Sequence, residues 1–138
     1  MDGKTYVVKV IGGSAEIEES RSGRKLLRIR ITAEVGRVEG EHIVDRVRRD
    51  YTITFSRRGA GNAAVGFAVA RGSAPGGREE DVERLAAVVE ALMGVKPKIR
   101  RRSDGIIELV CGRAHLEGFK RFAELAGAIA RWLEETGR

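Results

Sequence analysis

Lys98, Arg100 and Arg102 belong to the densest run of like charge in the chain, Lys96-Pro97-Lys98-Ile99-Arg100-Arg101-Arg102. On an extended strand alternate side chains share a face, so these three cations would stand about 6.7 Å apart on one side, with Ile99 and Arg101 on the other. That spacing suits the phosphates of a nucleic-acid backbone. A second reading is protective: cations on an edge strand deter sheet-to-sheet aggregation, and Glu108 on the returning strand would neutralise part of the run. A further group, Arg28 and Arg30 with Arg46, Arg48 and Arg49, falls on two neighbouring stretches with strand-like alternation. If both groups share one sheet face, they make a positive saddle wide enough for a duplex. Glu34, Glu39, Glu41, Asp45 and Asp50 are interleaved, however, and an ion-pair ladder is the equal alternative.

Arg57-Arg58-Gly59-Ala60-Gly61-Asn62 has the composition of an anion-cradling loop. It joins two strands, opens no helix, and lacks the lysine and hydroxyl of a nucleotide-binding P-loop, so it reads as a hairpin loop whose arginines touch phosphate. Ala74-Pro75-Gly76-Gly77 does precede a helix, but Glu79, Glu80, Asp81 and Glu83 already answer the dipole there. His42 and His115 are the only histidines and lie far apart; Cys111, four residues before His115, reads with it as packing and capping and not as a metal pair. Asp104 is explained by turn chemistry in Ser103-Asp104-Gly105. No catalytic residue, metal ligand or cofactor motif is assigned, and the reading leans away from an enzyme.

The net charge of +6 rests on 26 lysines and arginines, mostly arginine, whose planar fork suits phosphate. A third of the residues are charged, glutamine is absent and Asn62 is the only asparagine, a composition that equally describes the ion-paired surface of a hyperthermophile's protein. No apolar run approaches the ~18 residues of a membrane span, and the lone Cys111 forms no intramolecular disulfide. A soluble, cytoplasmic chain is expected. At 138 residues it fits one domain, with a β-rich part over 1–50 and a second part over 51–138.

The cations need elements to position them. Thr5 to Ile11 alternates as a strand, Gly12-Gly13 is expected to turn it, and Ser14 to Glu18 to pair back. Lys25 to Val35 puts Leu27, Ile29, Ile31 and Ala33 on one face and Arg28, Arg30 and Thr32 on the other. Gly36 to Gly40 is read as a hairpin turn, and His42 to Ser56 as a long strand with Tyr51, Ile53 and Phe55 inward. Ala63 to Arg71 carries a large apolar face (Val65, Phe67, Val69) and a small one (Ala64, Gly66, Ala68, Ala70) that a helix can approach closely. Glu79 to Met93 has helical spacing and a glycine C-cap at Gly94. Ala114 to Glu135 repeats the pattern as one helix of about 33 Å, with Leu125 and Trp132 as a candidate subunit contact. The fold class is α+β: a mostly antiparallel twisted sheet with two helices on one face, ordered strand-strand-helix-strand-strand-helix from Tyr51.

Val110-Cys111-Gly112-Arg113-Ala114-His115-Leu116-Glu117-Gly118-Phe119-Lys120-Arg121-Phe122-Ala123-Glu124-Leu125 resembles the paREP-type repeat-associated proteins of hyperthermophilic crenarchaea. Gly66 to Arg71, Ala74 to Asp81 and Arg131-Trp132-Leu133-Glu134-Glu135 fit the same likeness, which covers roughly Val10 to the end. The strand and helix order is also similar to half of a LAGLIDADG homing endonuclease, whose concave sheet lies in the DNA major groove. Such nucleases carry a metal-binding acid at the end of a leading helix. Strands occupy that place here, and Leu125-Ala126-Gly127-Ala128-Ile129 runs into Ala130-Arg131 without the acid, so the resemblance implies no catalytic carboxylate.

The sequence therefore favours noncatalytic nucleic-acid binding, duplex DNA over RNA, through Lys98, Arg100 and Arg102 with Arg28, Arg30, Arg48, Arg57 and Arg58 in support. Stacking of bases is disfavoured, because Phe119, Phe122 and Trp132 read as buried helical residues. A protein-assembly subunit, dimerising through the final helix, is the alternative from another class. A divergent nuclease is the third.

Overall fold

The computed structural model describes residues 5–58 and 63–136. Six strands form one antiparallel sheet in the order β1-β2-β3-β4-β6-β5, with β1 Tyr6–Glu19, β2 Lys25–Glu39, β3 His42–Arg58, β4 Ala63–Val69, β5 Lys98–Arg101 and β6 Ile107–Cys111. Helices α1 Gly77–Met93, α2 Arg113–Phe119 and α3 Ala123–Thr136 cover one face. The α+β class and the element order after Tyr51 are as expected, and the early strands belong to the same sheet as the late ones. None of these helices is long and apolar enough to cross a membrane.

Alternation explains which face is covered. Leu27, Ile29, Ile31 and Ala33 on β2 and Tyr51, Ile53 and Phe55 on β3 are fully or almost fully buried against Val82, Leu85, Val89, Leu116, Ile129 and Trp132 of the helices. Beneath them β4 turns its small side inward: Ala64, Ala68 and Ala70 are buried, and a Cβ on Gly66 would sit 2.7 Å from the Phe55 ring. Val65, Phe67 and Val69 consequently point away from the core, with Val69 56% exposed. Volume decided this: the aromatic ring of the neighbouring strand already fills the space above Gly66.

Three local expectations change. Gly12 and Gly13 make no turn; β1 runs straight through them and pairs with β2 along its whole length, absorbing one residue in a bulge between Val10 and Gly12. Ser14 to Glu18 thus pairs with β2, not with its own N-terminal half. The β2–β3 turn is only Gly40-Glu41, where Gly40 takes φ 61, while Gly36 lies inside β2 opposite a bulge. The long C-terminal helix is two helices, broken at Lys120 to Phe122, with Leu125 and Ala126 amides bonding back to the Phe122 carbonyl. The break lets α3 fold onto β1 and β2. Leu125 and Trp132 are therefore core residues of the same chain: Trp132 is fully buried and its indole Nε1 donates to the Lys25 carbonyl at 2.9 Å, so neither presents a subunit contact.

A charged cluster crosses the core. Asp81, fully buried in α1, accepts from Arg49 Nε at 2.8 Å and Nη2 at 2.6 Å, and from the Arg71 backbone amide at 2.7 Å, while the buried Arg84 stands 4.0 Å from its Oδ1 and donates to the Pro75 carbonyl. Arg49 also lies over the Tyr51 ring, 4.2 Å from its centroid. The sequence placed Arg49 among the surface cations and Asp81 in a helix dipole role; together they tie β3, the β4–α1 loop and α1.

Tyr6 and Val8 of β1 and Ile99 of β5 line one open cavity of about 450 Å³ with Ala86, Ala87 and Ala91 of α1. Tyr6 reaches α1 itself, its hydroxyl donating to Glu83 at 2.6 Å. The helices lie on one face of the sheet, and the other face is free of them.

Candidate functional site

The pairing register places the sequence-assigned cations. Glu16, Arg28, Thr54, Phe67, Val110 and Lys98 are successive partners across all six strands and make one row on the helix-free face. The adjoining row runs Ser14, Arg30 and Thr52 on one side and Val69, Glu108 and Arg100 on the other. Arg48 faces the same way opposite Glu34, whose other neighbour is Lys9. The basic run thus has the register in which Lys98 and Arg100 face solvent together, and Ile99 packs on the core.

Their partners differ. Arg30, Arg48, Lys98 and Lys9 have no hydrogen-bond or ion-pair partner among the described residues. Arg28 pairs with Glu18 at 3.0 Å. Arg100 pairs with Glu108, its Nε 2.7 Å from Oε1, so the suspected neutralisation within the hairpin is real. Arg102 lies beyond the end of β5 and pairs with Asp104 at 3.0 Å in the turn. Arg101, on the opposite side of β5, makes two hydrogen bonds to Glu79 of α1 and holds that carboxyl below its usual range.

Arg57 and Arg58 part company. Arg58 lies on the free face, with Nε 3.3 Å from Ser56 Oγ and its guanidinium 4.8 Å from the Phe67 ring centroid. Arg57 turns under the sheet, 5.0 Å from the Trp132 ring, donating to Thr136 Oγ1 at 3.1 Å. Burial and the nearby Arg113 charge lower its pKa. It does not join the others, and Gly59 to Asn62 of the expected anion-cradling loop lie outside the described residues.

Phe67 is the residue the sequence reading left out of the site. Arg58 approaches its ring from one side and Arg100 stands 5.7 Å from its centroid. Val65 and Val110 are partly exposed beside it, and Thr52 and Thr54 bring hydroxyls to the same face. The signal was present in the sequence: the small side of β4 (Ala64, Gly66, Ala68, Ala70) is the one expected to meet a helix, and it does, which leaves Phe67 on the free face.

Among the described residues no group of three or more His, Cys, Asp or Glu side chains is placed to hold a metal ion. His115 Nδ1 accepts from the Gly112 amide at 3.1 Å, the geometry of a helix cap. Cys111 is buried, and desolvation pushes its thiol up to about 12, far from a nucleophile's range. The site is a helix-free sheet face with an apolar centre, guanidinium groups over its ring and a margin of cations without ionic partners among the described residues. No family model, no curated protein and no solved structure matches the chain.

Proposed function

We propose that the helix-free face of the sheet binds the phosphate backbone of nucleic acid, without catalysis. The observation that carries this is the register: Arg28, Arg30, Arg48, Lys98 and Arg100 come to one uncovered face from three strands, and Arg30, Arg48 and Lys98 have no ionic partner among the described residues. Arginine at such a place presents a planar donor fork, and each neutralised phosphate releases counterions on binding.

Acids on the same face set the scale. Glu16, Glu18, Glu34, Asp50 and Glu108 are interleaved, and two of them already hold Arg28 and Arg100. Only the unpartnered cations are free to meet phosphate at no cost, so affinity is modest and strongly dependent on salt. With about three to four phosphate contacts the log–log slope of affinity against salt is about −2 to −3.5. A gel-shift titration between about 50 and 200 mM salt measures this. The combined variant Arg30→Gln, Arg48→Gln, Lys98→Gln should flatten the slope by roughly 2 to 3. Absence of binding at the lowest salt, or binding that salt does not weaken, refutes the reading.

A further inference from the structure

We infer that the polymer taken by this face is single-stranded nucleic acid, with a base stacked at Phe67 in place of the guanidinium group of Arg58 or Arg100. The inference rests on the sheet-face reading above and departs from the duplex that the sequence favoured.

Charge density is the first argument. A duplex brings one negative charge per ~1.7 Å of axis, and Glu16, Glu34 and Asp50 would stand beneath it. A single strand carries fewer charges per unit length and can route its phosphates past Arg30, Arg48 and Lys98.

The centre of the face is the second. Phe67 lies midway along its row, two strand spacings, about 10 Å, from Arg28 on one side and from Lys98 on the other. Arg58 and Arg100 lie over this ring in the unbound protein, so a base reaches it by displacing one guanidinium, and Arg28 and Lys98 to either side then meet the backbone, the combination of ring and cations that sequence-tolerant single-strand binders use. In a duplex the bases are already stacked on each other and offer no face to the ring. Thr52, Thr54 and Ser56 supply hydroxyls beside the ring, with Ser56 covered by Arg58 in the unbound protein.

Fluorescence anisotropy with labelled probes tests this: a twelve-nucleotide pyrimidine DNA, the same sequence as RNA, and the corresponding DNA duplex, each with wild type, Phe67→Leu and Phe67→Trp. Phe67→Leu keeps apolar volume on a partly exposed face, so the fold is retained, and thermal melts check it. Wild type should bind one or both single strands at least roughly tenfold more tightly than duplex. Phe67→Leu should lose roughly tenfold of that affinity, the worth of one stacked base, with an unchanged salt slope, and Phe67→Trp should recover it. Equal or tighter duplex binding, indifferent to Phe67→Leu, overturns the stacking inference while leaving phosphate binding by the face intact. If no probe binds, both fail. If wild type is a dimer that Phe67→Leu dissociates, with no change in probe affinity, the apolar centre is a contact between copies of the chain and the inference is again overturned.

Discussion

Asp81 meets two donors of one guanidinium and a backbone amide while wholly withdrawn from water. A buried charge pair of this kind adds little net stability over an apolar replacement, but removing one partner leaves the other uncompensated. Asp81→Ala should therefore cost about 3–5 kcal/mol in guanidinium denaturation, and Asp81→Asn, which retains an acceptor, distinctly less. A loss under about 1 kcal/mol would mean that Arg49 reaches solvent once freed. The sequence could not have shown this pairing. Arg49 sits in an Arg-Val-Arg-Arg-Asp stretch whose neighbours do face water, and only the core-side phase of β3, set by Tyr51 and Ile53, turns it toward α1. Phe67 was missed for another reason: alternation put it on the large side of β4, opposite the small side that a helix approaches, but its ring was not counted with the cations that share its face.

Strand existence and phase were largely readable in β2, β3, α1 and the β5–β6 hairpin, because in each the apolar period runs unbroken for several residues and ends at a glycine or a polar turn. Where reading failed, the signal was local and the cause was not. Gly12-Gly13 looks like a turn until β2 offers β1 a partner along its full length. The α2–α3 break has no proline to announce it; it arises because one straight rod could not cover both β4 and β1. The site's cations on β2 and β5 were legible as alternating positions, but their shared face depended on β4 and β6 standing between them. At the end of this arrangement α3 is fastened to β2 and β3 by Trp132 Nε1 donating to the Lys25 carbonyl, with Lys25 to Glu135 and Arg57 to Thr136 nearer the surface. Trp132→Phe keeps the ring stacked in the core and strands that carbonyl. A stability loss of about 1–3 kcal/mol, followed by far-ultraviolet circular dichroism, is expected; no loss would show that the carbonyl finds another donor.

For the molecule as a whole, three raised pKa values bear on stability in alkali. Burial pushes the Cys111 thiol up to about 12, burial raises the Tyr51 hydroxyl, and burial with the hydrogen bond to Glu83 raises the partly buried Tyr6 hydroxyl. All three groups hold protons more tightly folded than unfolded, so their contribution is complete below the unfolded values and is lost as pH rises. Denaturation midpoints should be level from neutral pH to about 8, then decline by up to about 1.4 kcal/mol per pH unit for each group that ionises only on unfolding. Cys111→Ala should remove the earlier part of that decline, and an unchanged profile in the variant would assign it elsewhere. The fastening of α3 to β2 has a further consequence, in time and not in energy. Lys25 and Trp132 are 107 residues apart, and Tyr6 and Glu83 are 77 apart. A ribosome adding about 5–20 residues per second finishes the β2–β3 hairpin seconds before it delivers the helix that must lie across it. During that interval the sheet's greasy side has only α1 to turn to, and the nascent chain remains an unfinished wrapper until its last helix emerges.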